Sequence, residues 1–219
     1  MKVILFGATG MVGQGVLREC LIDPQVEAVL AIGRSTTGQR HDKLREIIHA
    51  DFLDFTALES EMSGYDACFF CLGVTSVGMN EADYRRLTYD VTMAAAHPLS
   101  RINPAMTFVY VTGTGADSSE QGGVMWARVK GKTENDLFKL PFKAAYMFRP
   151  GIIQPLHGIR SKTAWYQAFY TVASPLLTLL HSLAPKYVTT TEQVGRAMIG
   201  VVRRGYPKTI LENADINSV

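Results

Sequence analysis

Cysteine is scarce in this chain: Cys20, Cys68 and Cys71 are the only three in 219 residues. So sparse and odd a set argues against a disulfide framework and fits a reducing compartment. Bulk charge of one sign is also lacking. The 22 basic and 20 acidic residues leave a net +2, which gives no electrostatic case for nucleic acid. The histidines His41, His49, His97, His157 and His181 are scattered without metal-ligand spacing, so no metal site is expected. His157 follows FRPGIIQPL and is either a substrate-facing group or a loop histidine without a role. The N-terminus MKVILFGATG has one lysine and too short an apolar run for a signal peptide, so a cytoplasmic location is expected.

Charged residues vanish over one stretch, Ala164 to Ala184, which is nearly long enough to span a bilayer. It nevertheless contains Gln167, Ser174, Thr178 and His181, and Pro175 would break or kink a helix there. Two short helices covering a pocket or making a subunit contact are the favoured reading, with membrane association as the alternative. Residues 155–188 are therefore expected to form a small C-terminal helical cap.

What is present is a substantial core: 47% of residues are hydrophobic and 19% charged, within a length that suits one domain over residues 1–219. Apolar runs alternate with amphipathic stretches. Strands are expected at 2–7, 26–33, 45–51, 65–73, 106–113 and 143–151. Helices are expected at 11–22, at 80–97 with a stop near Pro98, and at 124–139 with a stop before Pro141. Thr189 and Glu192 have capping-box spacing ahead of QVGRAMIGVVRR, and residues 208–213 suit a last strand. Strands apolar on both faces alternating with helices predict an α/β, Rossmann-like, doubly wound parallel sheet with helices on both faces. Cys68 and Cys71 form a C-x-x-C, but three residues along a strand point to opposite faces, so a redox pair is not expected.

Gly7, Gly10 and Gly13 lie in GATGMVG, between the first strand and the first helix. Glycines there allow the tight turn, the close approach of backbone to a pyrophosphate and the close packing of helix on sheet. The strand–loop–helix context is what makes the spacing informative, and the missing G-K-[ST] gives no support to a triphosphatase loop. The second strand ends in Gly33-Arg34-Ser35. An acid at this place would hold a ribose 2′-hydroxyl, whereas Arg34, helped by Ser35, suits a 2′-phosphate, which favours NADP over NAD. Asp51 is suited either to the adenine amino group or to capping a helix that starts near Asp54.

The GxxGxxG spacing resembles the short-chain dehydrogenase/reductase superfamily. The finer pattern is similar to its atypical or extended members, the small NAD(P)-binding, epimerase/dehydratase-like proteins related to TIP30 and NmrA. The residues that carry the resemblance are GATGMVG (7–13), GRS (33–35), CLGVTS (71–76), VTGTGAD (111–117), VKGKTE (129–134) and FRPGII (148–153). Gly7, Thr9, Gly10, Met11, Val12 and Gly13 in the GATGMVG loop are expected to bind the cofactor, as are Asp51 and Phe52. The resemblance implies that Leu72, Gly73 and Thr75 run along the nicotinamide side, with Pro150, Gly151 and Ile152 beside the nicotinamide amide. Thr112 or Thr114 would occupy the place of the catalytic hydroxyl, and Lys130 would hold the nicotinamide ribose. A homodimer through the helices near 80–97 and 124–139 is implied by resemblance alone.

The chain departs from the family at WARVK (126–130), where Trp126 stands in the place of a tyrosine. The tyrosine hydroxyl exchanges a proton with substrate, its pKa lowered by the lysine one turn on. Indole offers one N–H and nothing that titrates near neutrality. The expected function is an NADP(H)-dependent oxidoreductase or epimerase-like enzyme on a small organic substrate, with an altered proton donor. A non-catalytic NADP(H)-binding regulator is the alternative.

Overall fold

The computed structural model describes residues 1–159 and 186–219. Seven parallel strands form one sheet: β1 (Lys2–Phe6), β2 (Ala28–Gly33), β3 (Leu44–Ile48), β4 (Ala67–Phe70), β5 (Thr107–Val111), β6 (Ala144–Arg149) and β9 (Ile210–Glu212). Their order across the sheet is β3-β2-β1-β4-β5-β6-β9. The chain winds outward from β1 in one direction and from β4 in the other, the doubly wound arrangement expected from the alternating pattern.

Each strand divides its side chains between two cores because alternate residues face opposite sides of the pleat. Val3 and Leu5 pack with α1 (Met11–Ile22) and α5 (Thr191–Arg204). Ile4 and Phe6 pack with α3 (Val91–Ile102) and with Phe55 and Met62. The same alternation separates Cys68 from Cys71, which belong to opposite cores and are free thiols. Burial pushes both thiols far above the usual cysteine range, which suits inert packing rather than redox work. The α4 helix (Met125–Leu137) runs from the loop after β5 and buries Lys130 and Glu134.

Three local expectations are corrected. The helix does not stop near Pro98. α2 (Glu81–Arg85), a π-helical turn (Arg86–Asp90) and α3 follow without interruption, and α3 carries Pro98 inside it. Proline removes one helical N–H, but beyond it Leu99 is fully buried and Ser100 nearly so. Asn103 at the end ties the helix to Gly64 N and to the Met62 carbonyl. Second, the cap of α5 is Thr190, whose hydroxyl accepts from Gln193 N at 3.0 Å, not Thr189. Thr189 is instead buried in β8 (Val188–Thr190), which pairs in parallel with β7 (Ile152–Gln154), a small second sheet that the sequence did not signal. Third, β3 and β4 are each shorter than expected because their last residues turn into loops at the carboxyl edge. The expected cap over 155–188 and the stretch 164–184 fall mainly on residues 160–185, outside the described residues. Among the described residues no helix is long and apolar enough to cross a membrane.

Candidate functional site

The point where the winding reverses lies between β1 and β4, and there the loops after the two strands diverge into a crevice. Gly7 leaves β1 with φ +82°, and a Cβ on it would sit 2.7 Å from the Cys71 backbone. A Cβ on Gly13 would sit 2.0 Å from the Gly7 carbonyl oxygen, so α1 rests directly on the loop it follows. Gly10 N donates to Gly7 O at 2.9 Å, and the Thr9 carbonyl accepts from Gln14 Nε2 at 3.2 Å. Among the described residues no side chain caps α1, and no acid lies in its first turn. The amide groups and the positive dipole end of this helix are therefore available to an anion. Met11 opens the helix, while Val12 packs toward the core.

Beside this loop lies a small cavity of about 100 Å³, lined by Gly7, Thr9, Gly33, Arg34, Ser35, Phe52 and Leu72 among others. It adjoins a wider cleft of about 580 Å³ that shares Arg34, Phe52 and Leu72 and adds Asp51 and Gly73. The structure thus gathers the ends of four strands around one space. Asp51 serves its own turn, accepting from Leu53 N at 2.9 Å, while also lining the cleft. No α-helix begins at Asp54; its carboxylate accepts from Thr56 N at the start of a short 3-10 turn. Thr75 is exposed, and its hydroxyl accepts from Val77 N within its own loop. Glu46 on β3 was not anticipated. It lines the small cavity and its carboxylate accepts from Thr37 N at 2.7 Å, fixing the loop that carries Arg34 and Ser35.

On the other side of the crevice, the buried Lys130 ammonium donates to the Thr112 carbonyl at 3.1 Å and lies 5.6 Å from the centroid of the Tyr110 ring. Desolvation lowers its pKa to about 8, partly opposed by the Glu134 carboxylate. The Thr112 hydroxyl is buried and donates to the Phe148 carbonyl at 3.1 Å, so it faces the neighbouring strand. The Thr114 hydroxyl donates to the Arg149 carbonyl at 3.0 Å from an exposed position. Of the two hydroxyls, Thr114 is the one open to solvent. Trp126 is half-buried, with its ring against the loop after β5: a Cβ on Gly115 would lie 3.5 Å from it.

Pro150, Gly151 and Ile152 leave β6 with their backbone largely engaged. The Pro150 carbonyl accepts from Thr114 N, Gly151 N donates to Asn213 Oδ1, and Ile152 N donates to the Tyr187 carbonyl, each at 3.0 Å. Asn213 and the pair Arg149–Glu134 were missed by sequence reasoning. Arg149 grips the fully buried Glu134 through two nitrogens and also reaches Ser118 Oγ and Glu212. A charged pair four residues from Lys130 on α4 gives no local signal that it faces β6. His157 pairs with Glu192 at 2.6 Å on the surface of α5. Tyr166, Tyr170 and Tyr187 are, from the sequence, candidates to supply the proton that Trp126 cannot; Tyr187 is exposed, while Tyr166 and Tyr170 lie outside the described residues.

Residues 3–115 match the NAD dependent epimerase/dehydratase family. The chain is 27% identical to protein FMP52-1, mitochondrial, of Scheffersomyces stipitis over 155 residues, 70% of this chain and 67% of that protein. It is 27% identical to protein HTATIP2 of Rattus norvegicus over 155 residues, 69% of this chain and 62% of that protein. The chain thus spans about two thirds of the length of these relatives. Among solved structures, the UDP-N-acetylglucosamine 4-epimerase of Methanobrevibacter ruminantium M1 superposes with a TM-score of 0.71 at 14% identity, covering 96% of this chain and 75% of that one. That likeness speaks for the fold alone. The cytoplasmic expectation is corrected, because FMP52 relatives carry mitochondrial names. Sparse thiols report a reducing environment and do not say which one.

Proposed function

The chain belongs to the NAD dependent epimerase/dehydratase family, and from that premise we propose that it binds NADP(H) in preference to NAD(H) and acts as an oxidoreductase or epimerase-like enzyme on a small organic substrate. One observation carries the binding reading. The uncapped start of α1 and its glycine loop lie beside a cavity whose rim carries Arg34 and Ser35, where an acid would suit NAD. The pyrophosphate would lie on the α1 amides and the 2′-phosphate against Arg34. The cofactor supplies or accepts the hydride when bound. Lys130 would orient the nicotinamide ribose from its place on the Thr112 carbonyl. Trp126 donates one hydrogen bond or stacks, so the proton at the substrate oxygen comes from another group or from water.

Trp126 also favours a second reading, an NADP(H)-binding regulator without turnover. The experiment is a calorimetric titration with NADPH, NADP+ and NADH, on the natural chain and on Arg34→Ala. NADPH should bind more tightly than NADH, and Arg34→Ala should remove about 1.5–3 kcal/mol from NADPH binding and little from NADH. Equal losses for both cofactors would sink the assignment of Arg34. NADPH consumption with a carbonyl substrate, lost in Lys130→Ala, would decide for the enzyme over the regulator.

A further inference from the structure

The lining of the wider cleft holds a second arginine. Arg34 stands at the end of β2, and Arg86, the first residue of the π-helical turn, borders the same cleft together with Leu87 and Val91. The wider turn sets this face. Val91 N reaches back to the Arg86 carbonyl, five residues away, and brings Arg86, Leu87 and Val91 to the cleft. The intervening Tyr89 faces α4 instead, where its hydroxyl donates to Asp136 at 2.7 Å.

The Arg86 backbone is bonded within its helix, but neither the Arg34 nor the Arg86 guanidinium has an ion pair or hydrogen bond among the described residues. Their neighbours do: Arg85 pairs with Asp90 at 3.8 Å and Arg128 with Glu81 at 2.6 Å. The two acids of the cleft are partly engaged already. Asp51 accepts from Leu53 N, and Asp83 accepts from the Asn80 side chain at 2.7 Å. The same cleft is lined by Phe52, Leu72 and Val91, an apolar surface for a flat aromatic base. An apolar surface and two guanidiniums without a protein partner among the described residues, in one cleft, match a nucleoside whose base takes the apolar surface and whose ribose carries a phosphomonoester dianion.

We infer that Arg86 is the second guanidinium of a clamp on the adenosine 2′-phosphate, acting with Arg34 from the lining of the same cleft. This rests on the NADP(H) reading above. The pair splits the dianion between two elements, the β2 exit and the α2–α3 turn. Cofactor choice is then set by a residue far in sequence from the glycine loop.

The test uses adenosine 2′,5′-bisphosphate and 5′-AMP as probes, titrated calorimetrically into the natural chain, Arg34→Ala, Arg86→Ala and Arg86→Lys. The natural chain should prefer the bisphosphate. Arg86→Ala should weaken it on the order of tenfold to a hundredfold and leave 5′-AMP within about twofold, with Arg86→Lys in between. If the natural chain prefers the bisphosphate, Arg34→Ala removes that preference and Arg86→Ala does not, the NADP(H) reading survives and the role of Arg86 is overturned. If the natural chain shows no preference, the NADP(H) reading itself fails. An equal loss of both probes in Arg86→Ala would make Arg86 a wall of the adenine slot and would also overturn the clamp. Arg86 is exposed, and unchanged thermal melting of each variant will exclude misfolding.

Discussion

Glu134→Gln reports on the candidate site and on the fold at once. The Glu134 carboxylate is fully buried and receives two bonds from Arg149, one from Nε at 3.0 Å and a shorter one from Nη2. Breaking a buried pair by neutralising one partner costs about 3–5 kcal/mol, because the other charge is left in a poor solvent. Arg149 is not abandoned altogether. Its side chain is 11% exposed, keeps Ser118 Oγ at 2.6 Å and has Glu212 at 3.5 Å on the solvent side. These contacts set the expected loss at the lower end, about 3 kcal/mol, or a fall of roughly 6–12 °C in Tm for a chain of this length. The second readout lies four residues away. Glu134 raises the pKa of Lys130 against the burial that lowers it to about 8, so its removal should drop Lys130 further. Urea unfolding followed by circular dichroism measures the first effect. NMR of ε-¹³C-labelled lysine, with Lys130 identified by its loss in Lys130→Arg, measures the second. A stability cost under about 1 kcal/mol, the range of surface pairs, together with an unmoved Lys130 titration, would refute the reasoning.

Gly13→Ala should abolish cofactor binding and destabilise the fold by about 1–3 kcal/mol, since its Cβ would meet the Gly7 carbonyl at 2.0 Å; retained binding by calorimetry would remove the loop from the site. Thr190→Val should cost about 1 kcal/mol through loss of the cap on α5. Thr189→Val should be neutral or stabilising, because the buried Thr189 hydroxyl has no hydrogen-bond partner among the described residues; the reverse ranking in denaturant midpoints would restore Thr189 as the cap. Lys130 supplies a pH signature. Its folded pKa is about 8 against 10.5 for the ordinary group, so between those values the unfolded chain holds the extra proton and this residue's contribution to stability rises with pH. The buried thiols act in the opposite direction, so the measurement is the difference between the natural chain and Lys130→Met. That difference should grow by on the order of 2–3 kcal/mol between pH 8 and pH 10.5, and a flat difference would place Lys130 in solvent.

The sheet was legible because its strands are apolar on both faces, and only a layer buried on both sides asks for that. The errors arose where a tertiary contact outweighs a local rule. Three threonines in a row, Thr189, Thr190 and Thr191, each fit a helix start. The choice falls to the pairing of Thr189 with Ile153, which fixes the strand and leaves Thr190 as the cap. Pro98 is tolerated because the turn after it is held by the burial of Leu99 and by Asn103. Glu46 reads as one polar residue in an edge strand. Its place beside Arg34 depends on β3 lying next to β2, which no local pattern encodes.

The two halves of the candidate site differ in how much work the fold already gives their residues. Lys130 has a structural occupation: it satisfies the Thr112 carbonyl at the exit of β5 and lies over the Tyr110 ring. That occupation needs no tyrosine one turn earlier, so a lysine accompanied by Trp126 is compatible with a site that moves no proton. The start of α1 has no such occupation. Its amides meet no side-chain cap among the described residues, the loop before it holds a left-handed Gly7, and its first turn holds a Gly13 that admits no side chain. A protein that needed only a turn there would be more stable with a Ser, Thr or Asp cap. The amides at this helix start, and the exposed Arg34 and Arg86 guanidiniums, which have no ion pair among the described residues, are groups that a bound anion would engage. Cofactor binding therefore has support independent of catalysis.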